Sequence, residues 1–325
     1  MAVHRYPVDV ATRTQLIDLL QQVFSRSDVD WLQSMRGIYS DVLTTCQLVG
    51  HLEGFPVGSA TVAFAVDQPE VCVIEDVMTL PAARGQGIAR ALTEQVVKIG
   101  FDAGCRLAYL GNAPTVSSVY EHVDFTRIRG VFMRREAPGC AGYETHVFTP
   151  GQAMDVRETN WGDLPGVVCL MAQPTGPALA HYDQGLVSLR DARPVRAVSN
   201  FTSVKYAAEN GGGCMWSLVG KRVSSRVFGF ASMVPGPGPL RDATARCDLT
   251  CHDHFTAGAA RLLEVMIGWA RQNGIALLEA FVAESDEVKL AWLEDAGFGE
   301  IGRLSDVLRV DGQLTGVVVL RRCCE

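Results

Sequence analysis

Arg84-Gly85-Gln86-Gly87-Ile88-Ala89 is the stretch of this chain best equipped to hold an anion. Gly85 and Gly87 let a backbone approach a ligand with no Cβ in the way, and Arg84 adds a fixed positive charge. Ile88, Leu92, Val96 and Ile99 then recur at helical spacing, which predicts an amphipathic helix over Ile88–Gly104. The first N–H groups of a helix have no internal partner, and its dipole adds positive potential there. The order of residues is neither a Walker loop, which needs Gly-Lys-Ser/Thr, nor the dinucleotide fingerprint Gly-x-Gly-x-x-Gly. Just upstream, Glu75 and Asp76 interrupt the β-rich run Val73-Ile74-Glu75-Asp76-Val77-Met78, and Pro81 stops it. Strict alternation sends these two carboxylates to opposite faces of the strand. A carboxylate partly buried in a cleft has its pKa raised, as a general base requires.

These groups need a strand before the loop and a helix after it, and the sequence supplies both within a longer order. Leu16, Leu19, Leu20 and Phe24 predict a helix over Thr12–Phe24. Leu43–Leu52 and Val57–Ala65 read as a hairpin turning at Glu53-Gly54, and Val71–Leu80 as the third strand of the meander. After the Ile88–Gly104 helix come a strand at Arg106–Leu110, a short helix at Pro114–His122 and a strand at Val131–Arg134.

The loop resembles the acyl-CoA pyrophosphate loop of the GCN5-related N-acetyltransferase (GNAT) superfamily, Arg/Gln-x-x-Gly-x-Gly/Ala, with Arg84, Gly87 and Ala89 at the defining positions. The element order is similar to that fold over about residues 1–138. The resemblance implies that Arg84, Gly85, Gln86, Gly87, Ile88 and Ala89 hold the pyrophosphate of acetyl-CoA, and that Val77, Met78 and Thr79 offer backbone groups to its pantetheine arm. The segment Gly111-Asn112-Ala113-Pro114 through Tyr120-Glu121-His122-Val123-Asp124-Phe125 is similar to a second family motif. By that likeness Asn112 ends a strand beside the cofactor, and the Tyr120 hydroxyl protonates the leaving thiolate. Asp124 stands where the family often has glycine. For the base Glu75 is preferred, with Asp76 or a water-filled channel as alternatives; His122 and His51 have no positional support. Direct transfer of this kind needs a deprotonated amine, an oriented thioester and a protonated thiolate.

Pro138–Gly151 is rich in proline and glycine, so the expected division is a catalytic domain over 1–138, a linker over 139–152 and a second domain over 153–325. Shifting the first half by 170 positions superposes the long helices: Ala89 meets Ala259, Leu92 meets Leu262, Glu94 meets Glu264, and Gly104 meets Gly274. The expected fold class is therefore α/β (α+β), two GNAT-type domains in tandem, each a mixed, mostly antiparallel sheet flanked by helices. In the second half Trp161–Leu164 opens a helix, Gly211–Gly213 reads as a loop, and strands are expected at Cys214–Val219, Val227–Met233, Arg246–Thr250 and Leu277–Val282. Helices are expected at Ala259–Gln272 and Val288–Ala296. The second half lacks the first half's chemistry. His254-Phe-Thr-Ala-Gly-Ala replaces the arginine and glycine loop, and Leu293 stands where Tyr120 would be. His252, Asp253 and His254 read as an exposed polar loop.

The whole chain sets bounds on this reading. It has 325 residues, ample for two domains, and a net charge of −7, which argues against a nucleic-acid partner. No apolar run is long enough to span a membrane, and the N-terminus lacks the apolar core of a signal peptide, so a cytoplasmic protein is expected. The ten cysteines form no Cys-x-x-Cys pair and read as small buried hydrophobes. Cys247, Cys251, His252 and His254 are the one cluster with ligand character, too little for a zinc site without a second pair, so no metal is expected. The expected activity is transfer of an acetyl group from acetyl-CoA to the amine of a small molecule, in natural-product biosynthesis or resistance, by a monomer or homodimer. The alternatives are an acyltransferase or decarboxylase using another acyl-CoA, or a CoA-binding module without activity. Acceptor contacts are expected from Ser25–Tyr39, the hairpin loops and the second half.

Overall fold

The computed structural model describes residues 1–24, 29–111, 117–129, 132–173, 197–236, 243–310 and 313–324. The chain divides into two compact units: Met1–Val147 with Asn160–Pro165, and Phe148–Thr159 with Gly166–Glu325.

The first unit holds strands β1 (Ala2–Arg5), β2 (Leu43–Leu52), β3 (Phe55–Ala65), β4 (Val71–Thr79), β5 (Leu107–Gly111), β6 (Thr126–Arg129) and β7 (Phe132–Glu136). They make one sheet in the order β1-β2-β3-β4-β5-β7-β6. Every neighbouring pair is antiparallel except β4 with β5. The helices are α1 (Val10–Phe24), α2 (Val29–Met35), α3 (Ile88–Asp102), α4 (Ser117–Glu121) and α5 (Tyr143–Val147). A parallel pair needs a crossover, and α3 provides it. Its Leu92, Val96 and Val97 pack with Cys46, Leu48, Val62, Cys72 and Ile74 on one face of the sheet. On the other face α1 brings Leu16, Leu19 and Leu20 against Val49 and Met78. Burying each such side chain contributes about 1.5–3 kcal/mol.

Strands β1 and β6, absent from the sequence reading, are four residues each. β1 alternates half-buried and exposed residues and adds to the edge of β2 from Ala2↔Val49 to Arg5↔Cys46. The stretch read as a linker contains α5, which is tied to the sheet: the Tyr143 hydroxyl donates to Glu70 Oε1 at 2.7 Å, and Glu144 accepts from Tyr109 and Arg134.

In the second unit β8 (Met154–Glu158), β9 (Cys214–Gly220), β10 (Val227–Pro235), β11 (Thr244–Cys251), β12 (Leu277–Ala283), β13 (Gly299–Val310) and β14 (Gln313–Cys323) pair in the order β8-β9-β10-β11-β12-β14-β13. This is the first sheet's order strand for strand, again with one parallel pair, β11 with β12. The remaining helices are α6 (Leu164–Met171), α7 (Ala197–Gly211), α8 (Gly258–Gln272) and α9 (Glu287–Asp295). The repeat extends to packing. Ile88, first residue of α3, lies against Gly50, where an added Cβ would stand 3.4 Å from the Ile88 methyl. At the matching place in the second unit the sizes are exchanged: Gly258, first residue of α8, lies against Leu218, whose methyl would stand 2.2 Å from an added Cβ. Close-packed interiors conserve volume in this way.

Candidate active site

The parallel pairing of β4 with β5 covers only Val71↔Leu107, Cys72↔Ala108 and Val73↔Tyr109. β4 runs on to Thr79, so beyond Val73 its edge facing β5 has no strand partner among the described residues. An unpaired strand edge is ready to bind an extended ligand through its main chain. Glu75, Asp76, Val77, Met78 and Thr79 all lie in this splayed part.

Within it the expected alternation breaks. Thr61 pairs with Glu75, but Ser59 pairs with Met78, so β4 carries one extra residue. The bulge falls at Asp76, whose φ is 49°. Aspartate is among the few side chains that accept this left-handed conformation, and the Asp76 carbonyl accepts from Ser59 Oγ at 3.2 Å. The bulge resets the phase of the strand. Cys72, Ile74 and then Val77 face the α3 cluster, whereas Met78 faces the α1 cluster. Glu75, in register with Thr61 and Gln47, belongs to the α1 face. Tyr6 reaches the same place: its hydroxyl donates to Gln47 Oε1 at 2.8 Å. Burial, then the negative charges of Asp76 and Glu75, push that hydroxyl well above the usual tyrosine range.

After β4, Pro81–Ala83 form a 3-10 turn, and the Arg84 Nε donates to the Thr79 carbonyl at 3.2 Å. That bond folds the loop back on the strand end and leaves Arg84, Gly85, Gln86 and Gly87 exposed. Gly85 and Gly87 have φ of 79° and 75°, and neither has an atom within 4 Å of a modest side chain's Cβ position. The loop therefore requires glycine for its conformation, while open space lies above it. Gly87 caps α3, accepting from Ala91 N at 3.0 Å. The Ile88 and Ala89 amides precede the first intrahelical bond, so they point out of the helix end. Open glycines, outward amides and an arginine fit a pyrophosphate, and the unpaired β4 edge fits an amide-bearing arm. These residues could hold acetyl-CoA.

Tyr120 is 8% exposed in the α3-side cluster with Ile74, Leu110 and Phe125, its ring edge-on to Phe125 at 6.4 Å. Burial pushes its hydroxyl up to about 12, so at neutral pH it carries a proton to give. Tyr120 and Glu75 thus belong to opposite faces of the splayed strand. Asp124 adopts φ 60° and meets Arg135 at 3.4 Å, so it makes the left-handed turn before Phe125 without glycine. Asn112 lies outside the described residues, as do 25–28 of the segment expected to contact the acceptor.

The second unit's counterpart differs at each point. Leu293 is 1% exposed at the place of Tyr120. His252 is buried rather than part of an exposed loop, whereas Asp253 and His254 are exposed. The His252 ring stacks on Phe148 at 4.3 Å, its Nδ1 accepts from the His254 amide at 3.1 Å, and burial lowers its pKa to about 4. Burial pushes the Cys251 thiol up to about 12. Among the described residues no group of three or more His, Cys, Asp or Glu side chains is arranged to hold a metal ion. No described helix is long and apolar enough to cross a membrane.

Sequence reasoning missed Gln47 and Tyr6. A lone glutamine inside the strand Leu43–Leu52 was the available signal for the first; Tyr6 follows an edge strand too short to read.

Residues 15–125 match the family model described as Acetyltransferase (GNAT) family. No curated protein matches the chain. Similar solved structures include an N-acetyltransferase from Staphylococcus aureus Mu50, 17% identical, covering 53% of this chain and 99% of its own, with a TM-score of 0.44. A GCN5-related N-acetyltransferase from Kribbella flavida is 20% identical, covering 53% and 98%, with a TM-score of 0.43. The yncA protein of Salmonella typhimurium, solved with its cofactor acetyl-CoA, is 17% identical, covering 53% and 95%, with a TM-score of 0.42. Residues 15–125, which include the loop, the splayed strand and Tyr120, thus form a GNAT acetyltransferase domain by that family match, and a second sheet of the same strand order follows it in the chain.

Proposed function

We propose that the first unit transfers an acetyl group from acetyl-CoA directly to the amine of a small molecule, in natural-product biosynthesis or resistance. The observation that carries this reading is the splay after Val73, which leaves the β5-facing edge of β4 with no strand partner among the described residues, beside an open glycine loop. In this reading Val77, Met78 and Thr79 bind the pantetheine arm through their main chain. Arg84 to Ala89 bind the pyrophosphate, and Asn112 lies at the end of β5. Bound there, acetyl-CoA supplies an activated acyl group. Glu75 holds the incoming ammonium and takes a proton from it. Tyr120 gives the proton of its hydroxyl to the departing sulfur.

The second unit is catalytically silent in this account, because a leucine at position 293 has no proton to give. The test is steady-state acetyl transfer with Tyr120→Phe and Glu75→Gln. Each variant should lower kcat by about 10²–10⁴-fold, the usual contribution of a positioned acid or base, while acetyl-CoA binding stays within a factor of two or three. Normal rates in both variants would remove these assignments.

A further inference from the structure

The β2–β3 hairpin ends in an apolar tip. Its turn is Glu53-Gly54, with φ of 51° and 86°, the left-handed pair of a two-residue hairpin loop. Leu52 and Phe55 face each other across that turn, and they are 43% and 72% exposed.

Two observations direct this pair at the glycine loop. Cys46 and Leu48 lie with Leu92 and Val96 on the α3 face of the sheet. Gly50 lies against Ile88, so Leu52 continues that face at the start of α3. On β3, strict alternation would send Phe55 the other way, with Ser59 and Thr61. The register slips there: Gly50 pairs with Gly58, but His51 pairs with Pro56, so Val57 is an extra residue. The bulge turns Phe55 to the α3 face, beside Leu52. The Val57 carbonyl also accepts from Leu80 N at 2.8 Å, and Leu80 is the residue before the Pro81–Ala83 turn. That hydrogen bond fixes the tip to the start of the loop, two residues from Phe55.

We infer that Phe55 and Leu52 form a platform on which the adenine base of the acyl donor stacks. This deepens the acetyl-CoA reading and rests on it. The strand order β2-β3-β4-β5 puts the tip on the side of β4 away from the splay. With the pyrophosphate on Gly85–Ala89, the pantetheine arm leaves toward the gap between β4 and β5, and the nucleotide leaves toward the hairpin. Beyond its 5′-phosphate the donor carries a ribose and then a flat base. An aromatic ring covers the π-face of such a base without a hydrogen-bond partner. The acceptor, which reacts beside Glu75 on the α1 face, lies on the other side of the sheet. In the second unit the matching β9–β10 connection reads Lys221-Arg222-Val223-Ser224-Ser225-Arg226 and carries no aromatic side chain. The unit without the glycine loop also lacks the platform.

Calorimetry on the full chain tests this with two ligands, acetyl-CoA and S-acetylpantetheine 4′-diphosphate. The second keeps the arm and the whole pyrophosphate but has no nucleoside. The proteins are the wild type, Phe55→Ser and Phe55→Trp; position 55 is exposed, so neither substitution opens a cavity. Phe55→Ser should bind acetyl-CoA about tenfold more weakly, the order expected for one lost base–aromatic stack. It should bind S-acetylpantetheine 4′-diphosphate as the wild type does. Phe55→Trp should bind acetyl-CoA at least as tightly as the wild type. The fluorescence it adds to that of the five native tryptophans should be quenched by acetyl-CoA and not by S-acetylpantetheine 4′-diphosphate. Unchanged acetyl-CoA affinity in Phe55→Ser, or no such quenching in Phe55→Trp, would overturn the inference. An equal loss for both ligands would overturn it too, because the hairpin would then only shape the loop. Each of these results leaves the acetyl-transfer reading standing. A wild type that binds neither ligand would overturn that reading and this inference together.

Discussion

At the scale of single residues, the chemistry turns on protons held in place. Tyr120 lies in an apolar cluster, and burial alone pushes its hydroxyl up to about 12. The raised value keeps the neutral acid present at every pH below about 12 and removes it only as pH rises through that value. The kcat profile should therefore show no basic limb from Tyr120 up to about pH 10–11, measured by thiol release across pH. A Tyr120→Phe variant should lie below the wild type by a constant factor over that range. A wild-type limb falling near pH 9 and missing from Tyr120→Phe would contradict the assignment. Tyr120 stood out in the sequence only through the likeness of the segment Gly111–Phe125 to a family motif, and its protonation depends on which side chains surround it, which a linear sequence does not state. Likewise the two carboxylates of Glu75-Asp76 were visible, while their directions were not. The bulge at Asp76 cancels the strict alternation on which the sequence reading relied.

At the scale of elements, two devices can be tested by stability. The left-handed Gly87 cap sets the start of α3 and the amides beside it. Gly87→Ala meets no steric obstacle but must adopt φ 75°, which costs about 1–2 kcal/mol for an L side chain. Chemical denaturation should show a loss of that size or a relaxed loop, in either case with weaker acetyl-CoA binding. Unchanged stability and binding together would show that this conformation is not needed. The buried Lys289–Asp248 pair is the second device. Lys289→Met removes the counter-charge of a buried carboxylate, which keeps the Leu249 amide as a donor, and should cost about 3–5 kcal/mol, whereas removing both charges in Lys289→Met/Asp248→Leu should cost far less. Equal losses in the single and double variants would contradict that coupling. The strand, loop and helix from Val71 to Asp102 were readable because β-rich residues, Pro81, the glycines and the 3.6-residue period all agree locally. The hairpin β13–β14 was not. Ile301, Leu304 and Val307 are exposed on β13, and two register shifts break its pairing with β14, so the hydrophobic pattern carries no period-two signal. Helix α7 was not read either: Phe201, Val204 and Ala208 are buried at helical spacing, but Lys205, buried and paired with Glu209 at 2.7 Å, puts a charge on that face and interrupts the apolar pattern.

At the scale of the whole molecule, the chain carries one topology twice and one set of chemical groups once. The two sheets share strand order and the single parallel pair, and they exchange large for small at Gly50/Ile88 and Leu218/Gly258. Sequence alone placed the two long helices in register because an amphipathic helix tolerates substitution without losing its period. The loss of Tyr120, Gly87 and Arg84 from the second half was equally readable, because those functions admit few residue types. The account's central claim is that one unit binds the acyl donor and the other does not. Titration of acetyl-CoA into the full chain by calorimetry, beside Gly87→Glu, tests it most directly. The account predicts one site per chain, lost in the variant, since a carboxylate at position 87 would repel the pyrophosphate. Two sites per chain, or one site that survives Gly87→Glu, would contradict it.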